Sequence, residues 1–211
     1  LYMLFDALKR GDVKLTDTFH VSKKAWSAQG SKMFVPIDGD IKVEDLIRGI
    51  IVQSGNDACV VVAEGLAGSE EAFADRMNKK GVEMGLKNSF FVNASGLPDP
   101  NHLMTAQDLF ILAKHLFEDF PDYYKYFSEK EFVFNKIKQG NRNPLLYRPG
   151  TGVDGLKTDV LDWKGPCSEY NRLDNLWNAR VTSHEPMREV PDLLTRERIL
   201  AAIEATIETL R

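Results

Sequence analysis

Two polar side chains set into an otherwise apolar run give this sequence its first chemical signal. Ser54 and Asn56, with Gly55 between them, interrupt the stretch Ile50-Ile51-Val52-Gln53-Ser54-Gly55-Asn56-Asp57-Ala58-Cys59-Val60-Val61-Val62. Polar groups in such surroundings are costly unless paired, so the interruption is either a junction between helices or a site. As a junction it has a mechanism: Ser54 as N-cap and Asp57 three residues later form a capping box, with Gly55 easing the turn. As a site it has another. On one continuous helix Ser54 and Asn56 would point to nearly opposite sides, but across a turn both can face one cleft. There a hydroxyl relays a proton while an amide binds a carbonyl, a role pair used in acyl transfer. The two readings are compatible, because a capped backbone holds its side chains more tightly.

Helices flank this interruption. Leu46, Ile47, Ile50 and Ile51 recur at helical spacing after Val43-Glu44-Asp45, and Ala58, Val61, Val62 and Leu66 do the same beyond it. Leu1 to Gly11 reads as the later turns of an apolar helix ending at Gly11, without a start signal; the chain is expected to begin inside that element, any targeting segment lying ahead of it. Thr16 to Pro36 fits extended pieces around turns at Gln29-Gly30-Ser31 and Asp38-Gly39-Asp40. His20 is then a strand-edge residue with no carboxylate or cysteine at useful spacing. Ser69 caps a surface helix running to about Gly85, Asn88 to His102 is a loop dense in turn formers, and Thr105 caps a helix that stops before Pro121. Tyr123, Tyr124, Tyr126 and Phe127 read as core aromatics, Glu131 to Asn135 as a short strand, and Gly140 to Gly155 as loop.

With 211 residues, 43% hydrophobic and 27% charged, the composition is that of a soluble globular protein with one substantial core or two small ones. A net charge of −4 without a long basic run argues against nucleic acid as partner. No stretch approaches the roughly 20 apolar residues of a membrane span, and no signal peptide is present. Cys59 and Cys167 have neither metal-ligand spacing nor the pattern of a disulfide framework, and Cys59 reads as a small buried hydrophobe.

The motifs taken together resemble the D-alanyl-D-alanine carboxypeptidases, the low-molecular-mass penicillin-binding proteins of serine peptidase family S11. That family carries Ser-x-x-Lys, Ser-x-Asn and Lys-Thr-Gly in chain order. Ser54-Gly55-Asn56 matches the second motif inside Asp45-Leu46-Ile47-Arg48-Gly49 and Gln53-Ser54-Gly55-Asn56-Asp57-Ala58. Gly30-Ser31-Lys32-Met33-Phe34, Asn93-Ala94-Ser95-Gly96-Leu97-Pro98-Asp99, Thr105-Ala106-Gln107-Asp108-Leu109 and Asp154-Gly155-Leu156-Lys157-Thr158 are close to further family phrases. The resemblance implies an α+β fold of the β-lactamase and penicillin-binding-protein transpeptidase type, with a helical lobe and an incomplete antiparallel sheet. It implies a partial catalytic domain over 1–158 and a divergent tail over 159–211.

The implied reaction is removal of the terminal D-alanine from peptidoglycan stem peptides ending in D-Ala-D-Ala, through an acyl-enzyme on the serine of Ser-x-x-Lys. Ser54 would relay protons toward the leaving amine and Asn56 would hold the peptide carbonyl. Lys157 and Thr158 would bind near the terminal carboxylate. No metal or organic cofactor is implied. β-Lactams would be covalent inhibitors of the intact enzyme, and the setting would be periplasmic or extracytoplasmic, with membrane association only through segments absent here.

Two departures stand against these matches. No Ser-x-x-Lys occurs in the right place, and the family pattern would put it just before Leu1; Ser22 and Ser128 are followed three residues on by Ala25 and Glu131. The third motif reads Lys157-Thr158-Asp159, which sets a negative charge where the family has glycine. As written, the chain is expected to be catalytically inactive. Beyond Asp159 the resemblance stops, and Asp192 opens an amphipathic helix with a stripe of Leu193, Ile199, Leu200, Ile203, Ile207 and Leu210. The alternatives are a non-catalytic module binding peptidoglycan or a partner, and a serine β-lactamase.

Overall fold

A computed structural model describes residues 1–149 and 152–157. These described residues divide after residue 142 into two units. The first unit opens with helix α1 (Tyr2–Arg10), whose spacing buries Leu4, Phe5, Ala7 and Leu8; Gly11 ends it by taking a left-handed φ of 78°. Strands β1 (Thr18–His20) and β2 (Asp40–Lys42) pair antiparallel, in a register that buries Phe19 opposite Ile41. The same register sets Asp40 opposite His20, with Nδ1 and Oδ1 3.3 Å apart. His20 therefore does have a carboxylate neighbour, one supplied by strand pairing and not by sequence spacing.

Between the strands lies helix α2 (Lys23–Ser27), where the sequence suggested extended chain. The Ser22 side chain accepts from the Ala25 N–H at 3.0 Å, and this N-cap makes the short helix possible. Helices α3 (Val43–Val52) and α4 (Asn56–Ala67) form the centre of the core, with Val43, Leu46, Ile47, Val52, Ala58 and Val61 inaccessible to solvent. Helix α5 (Glu70–Met84) runs from the Ser69 cap to left-handed Gly85, and α6 (Ala106–Asp119) starts at the Thr105 cap. Phe90 and Leu103 close the intervening loop through two reciprocal backbone bonds of 2.8 Å.

Helix α7 (Pro121–Tyr124) and a 3-10 turn over Lys125–Ser128 bury Tyr126 and Phe127 as core aromatics. Strand β3 (Glu131–Phe134) pairs with β4 (Ile137–Gly140), which was not evident from the sequence. Asn135 and Lys136 turn the chain with φ of 48° and 64°, the two-residue geometry that matches strand twist; a lysine in the place usually given to glycine concealed the hairpin.

In the second unit a 3-10 turn spans Pro144–Tyr147. The buried Asn143 side chain accepts from the Leu145 N–H at 3.0 Å and donates to the Leu156 carbonyl at 3.2 Å, tying the two described stretches of this unit together. Helices with small antiparallel sheets make the described residues α+β. Thr158, Asp159 and the helix expected from Asp192 lie outside the described residues.

Candidate active site

The interruption between α3 and α4 is a turn, but not the capping box its spacing suggested. Helix α4 takes Gly55 as N-cap without a side-chain cap, and Ser54 sits one residue earlier with a left-handed φ of 53°. That conformation costs a residue with a Cβ about 1–2 kcal/mol and persists where surrounding contacts impose it. The box fails because Asp57 is engaged elsewhere. Its Oδ1 accepts from the Met33 N–H at 2.8 Å and the Ala58 N–H at 2.9 Å; its Oδ2 accepts from the N–H groups of Phe34 at 2.8 Å and Val35 at 3.2 Å. A carboxylate in the first turn of a helix is favoured by the aligned peptide dipoles, and this one also holds a neighbouring loop.

That loop lies against the Ser-Gly-Asn turn. A Cβ on Gly55 would approach Asp57 Oδ1 to 2.9 Å and the backbone nitrogen and Cβ of Met33 to 3.0 Å, so the close fit admits only glycine. The Asn56 N–H donates to the Ser31 carbonyl at 2.8 Å, and Asn56 Nδ2 donates to the Gln29 carbonyl at 2.8 Å. Gly30, at φ 77°, lets the backbone pass over the amide; a Cβ there would come within 2.6 Å of Asn56 Nδ2. Ser54 and Asn56 are both partly buried. The site pair thus belongs to one turn, with the amide orientation set by the carbonyl of Gln29.

Gln53, immediately before Ser54, is 1% exposed, and among the described residues neither atom of its amide has a hydrogen-bond partner. Cys59, one turn into α4, is only partly buried, so the expectation of a buried small hydrophobe is corrected. Lys157 is exposed in the second unit, and Thr158 is outside the described residues. Among the described residues no group of three or more His, Cys, Asp or Glu side chains could hold a metal ion.

The family model for D-alanyl-D-alanine carboxypeptidase matches residues 1–167. The chain belongs to this carboxypeptidase family. It is 44% identical over 190 residues to D-alanyl-D-alanine carboxypeptidase DacA of Haemophilus influenzae, an alignment covering 89% of this chain and 46% of that protein. It is also 44% identical over 170 residues to DacC of Escherichia coli, covering 78% of this chain and 42% of the relative. Among solved structures, penicillin binding protein 5 from Haemophilus influenzae superposes with a TM-score of 0.73 at 44% identity, over 76% of this chain and 47% of that one. The chain therefore spans about half the length of the curated relatives it matches.

In this chain Ser54-Gly55-Asn56 sits at a helix junction overlaid by the loop from Gln29 to Val35. Reading the sequence missed Asp57 and that loop as parts of one assembly. The signals were present in Gly30-Ser31-Lys32-Met33-Phe34 and in an acidic residue at a helix start. Neither reveals that one grips the other across 22 to 24 residues.

Proposed function

We propose that this chain carries part of the acyl-transfer site of a serine-type D-alanyl-D-alanine carboxypeptidase acting on peptidoglycan stem peptides outside the cytoplasmic membrane. The observation that carries this reading is the turn itself: a hydroxyl and an amide two residues apart, held by strained backbone and by carbonyls of a second loop. Asn56 has one N–H committed to Gln29, and among the described residues the second has no acceptor. In the proposed complex that second N–H binds the carbonyl on the acyl side of the scissile bond, while Ser54 passes the proton to the departing D-alanine amine.

Lys157 and Thr158 complete the reading as the positive charge and hydroxyl that meet the substrate's terminal carboxylate. The nucleophile and base come from Ser-x-x-Lys, which this sequence does not contain at the required position. In the family's chain order Ser-x-x-Lys precedes the middle motif, so a longer chain would carry that serine and lysine ahead of Leu1. Acylation then joins the serine Oγ to the carbonyl carbon and releases D-alanine, and water frees the acyl group. β-Lactams take the same route to a stable adduct, in keeping with the penicillin-binding name of the Haemophilus structure.

Intact mass after incubation with a fluorescent penicillin tests this reading. The chain as it stands gains no adduct, whereas a longer chain with Ser-x-x-Lys restored upstream gains one. In that longer chain Asn56→Ala slows acylation about tenfold to a hundredfold, the range for one lost donor aimed at developing charge. An adduct on the present chain, or none on the longer one, overturns it; saturable noncovalent binding with no acylation would identify a binding module.

A further inference from the structure

We propose that Asp57 is the positioning residue of this site: by clamping the loop from Met33 to Val35 it fixes the Gln29 carbonyl, and through that carbonyl the orientation of the Asn56 amide. The inference rests on the reading of Asn56 as the group that binds the substrate carbonyl, and adds a residue which acts on the reaction without touching the reactants.

The Asp57 carboxylate carries more bonds than a helix cap needs. Asp57 is 1% exposed, and its two oxygens accept four backbone N–H groups, three of them from consecutive residues of the loop. One such residue per helix would suffice for capping; three consecutive amides turned toward one carboxylate is a means of fixing a backbone. The loop bears the mark of that constraint. Phe34 is held at a left-handed φ of 65° although the residue is 47% exposed, so burial of the aromatic does not offset the conformation. A bulky residue in that region is a genuine outlier, and the charge-assisted bonds from Asp57 to its own N–H and to those on either side oppose the strain.

The loop in turn carries the contacts of Asn56. Upstream of the clamp, Ser31 and Gln29 present their carbonyls to the backbone and side-chain N–H groups of Asn56, both at 2.8 Å. Asn56 and Asp57 are adjacent in sequence, so the loop is gripped twice by the same turn of α4. The Asn56 amide is aimed by its bond to the Gln29 carbonyl, and that carbonyl belongs to a loop which Asp57 holds at Met33, Phe34 and Val35. Reactions that depend on an aimed donor lose about a hundredfold for a displacement on the order of 1 Å.

The test uses Asp57→Asn, which keeps the volume, removes the charge and turns an N–H2 toward backbone N–H donors. It is measured in this chain, in two backgrounds, by noncovalent titration with an N-acylated peptide ending in D-Ala-D-Ala and by the solvent exchange of the Asn56 side-chain amide protons in NMR spectra. In the wild-type background D57N is expected to weaken peptide binding about tenfold and to speed exchange of the Gln29-bound Asn56 proton. In the Asn56→Ala background it is expected to change peptide binding less than twofold, because the group it positions is gone. A merely structural role would lower binding equally in both backgrounds.

Phe34→Gly supplies a second variant for the case where D57N unfolds. Glycine adopts the left-handed φ without strain, so F34G combined with D57N is expected to restore cooperative unfolding and part of the slow Asn56 exchange. Equal losses in both backgrounds, or an Asn56 amide whose exchange ignores D57N, overturn the proposal. If the wild-type chain binds no peptide, the carbonyl-binding role of Asn56 fails for this chain, and the exchange measurement alone still decides whether Asp57 positions its amide.

Discussion

Among the described residues Gln53 leaves two buried side-chain atoms without a hydrogen-bond partner. Its amide is buried beside the site with no partner among the described residues, and a buried unsatisfied group costs on the order of 1–3 kcal/mol. Gln53→Met keeps the length of the side chain and removes both polar atoms. It is expected to raise stability by about 1 kcal/mol, read as a higher urea midpoint at unchanged slope. A lower midpoint would mean that the amide meets a partner after all. Asp108 illustrates the opposite balance: buried in the first turn of α6, it accepts from the Asn88 N–H and the Ser89 hydroxyl, both at 2.7 Å. Asp108→Ala leaves those donors unpaired and is expected to cost about 2 kcal/mol or more by the same measurement. Asp57 was legible in the sequence as an acidic residue at a helix start, and Asp108 lies in the first turn after the Thr105 cap. Which loop each would hold was not legible, because the partners are backbone amides, and backbone amides have no sequence signature.

At the scale of elements, helices with explicit start and stop residues were legible. Ser69 and Gly85 bound α5, Thr105 begins α6, and Gly11 ends α1 where their chemistry says they should. The elements that escaped notice were short. Helix α2 has five residues, and β4 exists only by pairing with β3 across a turn that lacks glycine. Lys136→Gly is therefore expected to stabilise the hairpin by about 0.5–1 kcal/mol, through relief of the left-handed strain, with the thermal midpoint rising accordingly. Gly65 on α4 tests the packing of β1 on that helix. A Cβ there would run into the ring of buried Phe19, so Gly65→Ala is expected to destabilise by about 1–3 kcal/mol despite its better helix propensity. Ser54 and Asn56 were legible as a pair for a different reason: four small or polar residues inside an apolar run are conspicuous in any helix-forming stretch. Their orientation depends on the loop from Gln29 to Val35, which no periodicity connects to them.

Across the first unit, ion pairs and a tyrosine–carboxylate hydrogen bond share a common dependence on pH. Lys24 on α2 reaches Glu71 on α5, 47 residues away, at 2.7 Å. Arg48 on α3 meets Glu44 at 3.0 Å and Glu129 at 2.9 Å, its guanidinium lying over the Tyr126 ring. Tyr2 on α1 donates to Asp119 on α6, 117 residues away, at 2.8 Å. The hydrogen bond from Lys24, with lesser help from the Glu71 backbone and Ser69, draws Glu71 from the ordinary 4.5 down to about 2. For Glu44 burial works upward, but the Tyr126 hydroxyl and Arg48 outweigh it and the net shift is downward. Asp119 likewise falls below its ordinary 3.8, as Tyr2 and His115 outweigh burial. Each of these carboxylates has a lower pKa folded than unfolded. Each contributes stability that is fully present above its ordinary value and is lost as pH falls through the folded one. Urea midpoints measured at low salt should thus hold steady above about pH 4.5 and fall from there toward pH 2. Lys24→Ala should return the Glu71 carboxyl titration, followed by NMR, toward the ordinary 4.5 and make the acid decline shallower. High salt should mimic that variant at Glu71, which is solvent-exposed, far more than at the partly covered Arg48 pairs, because screening acts on charges that water reaches.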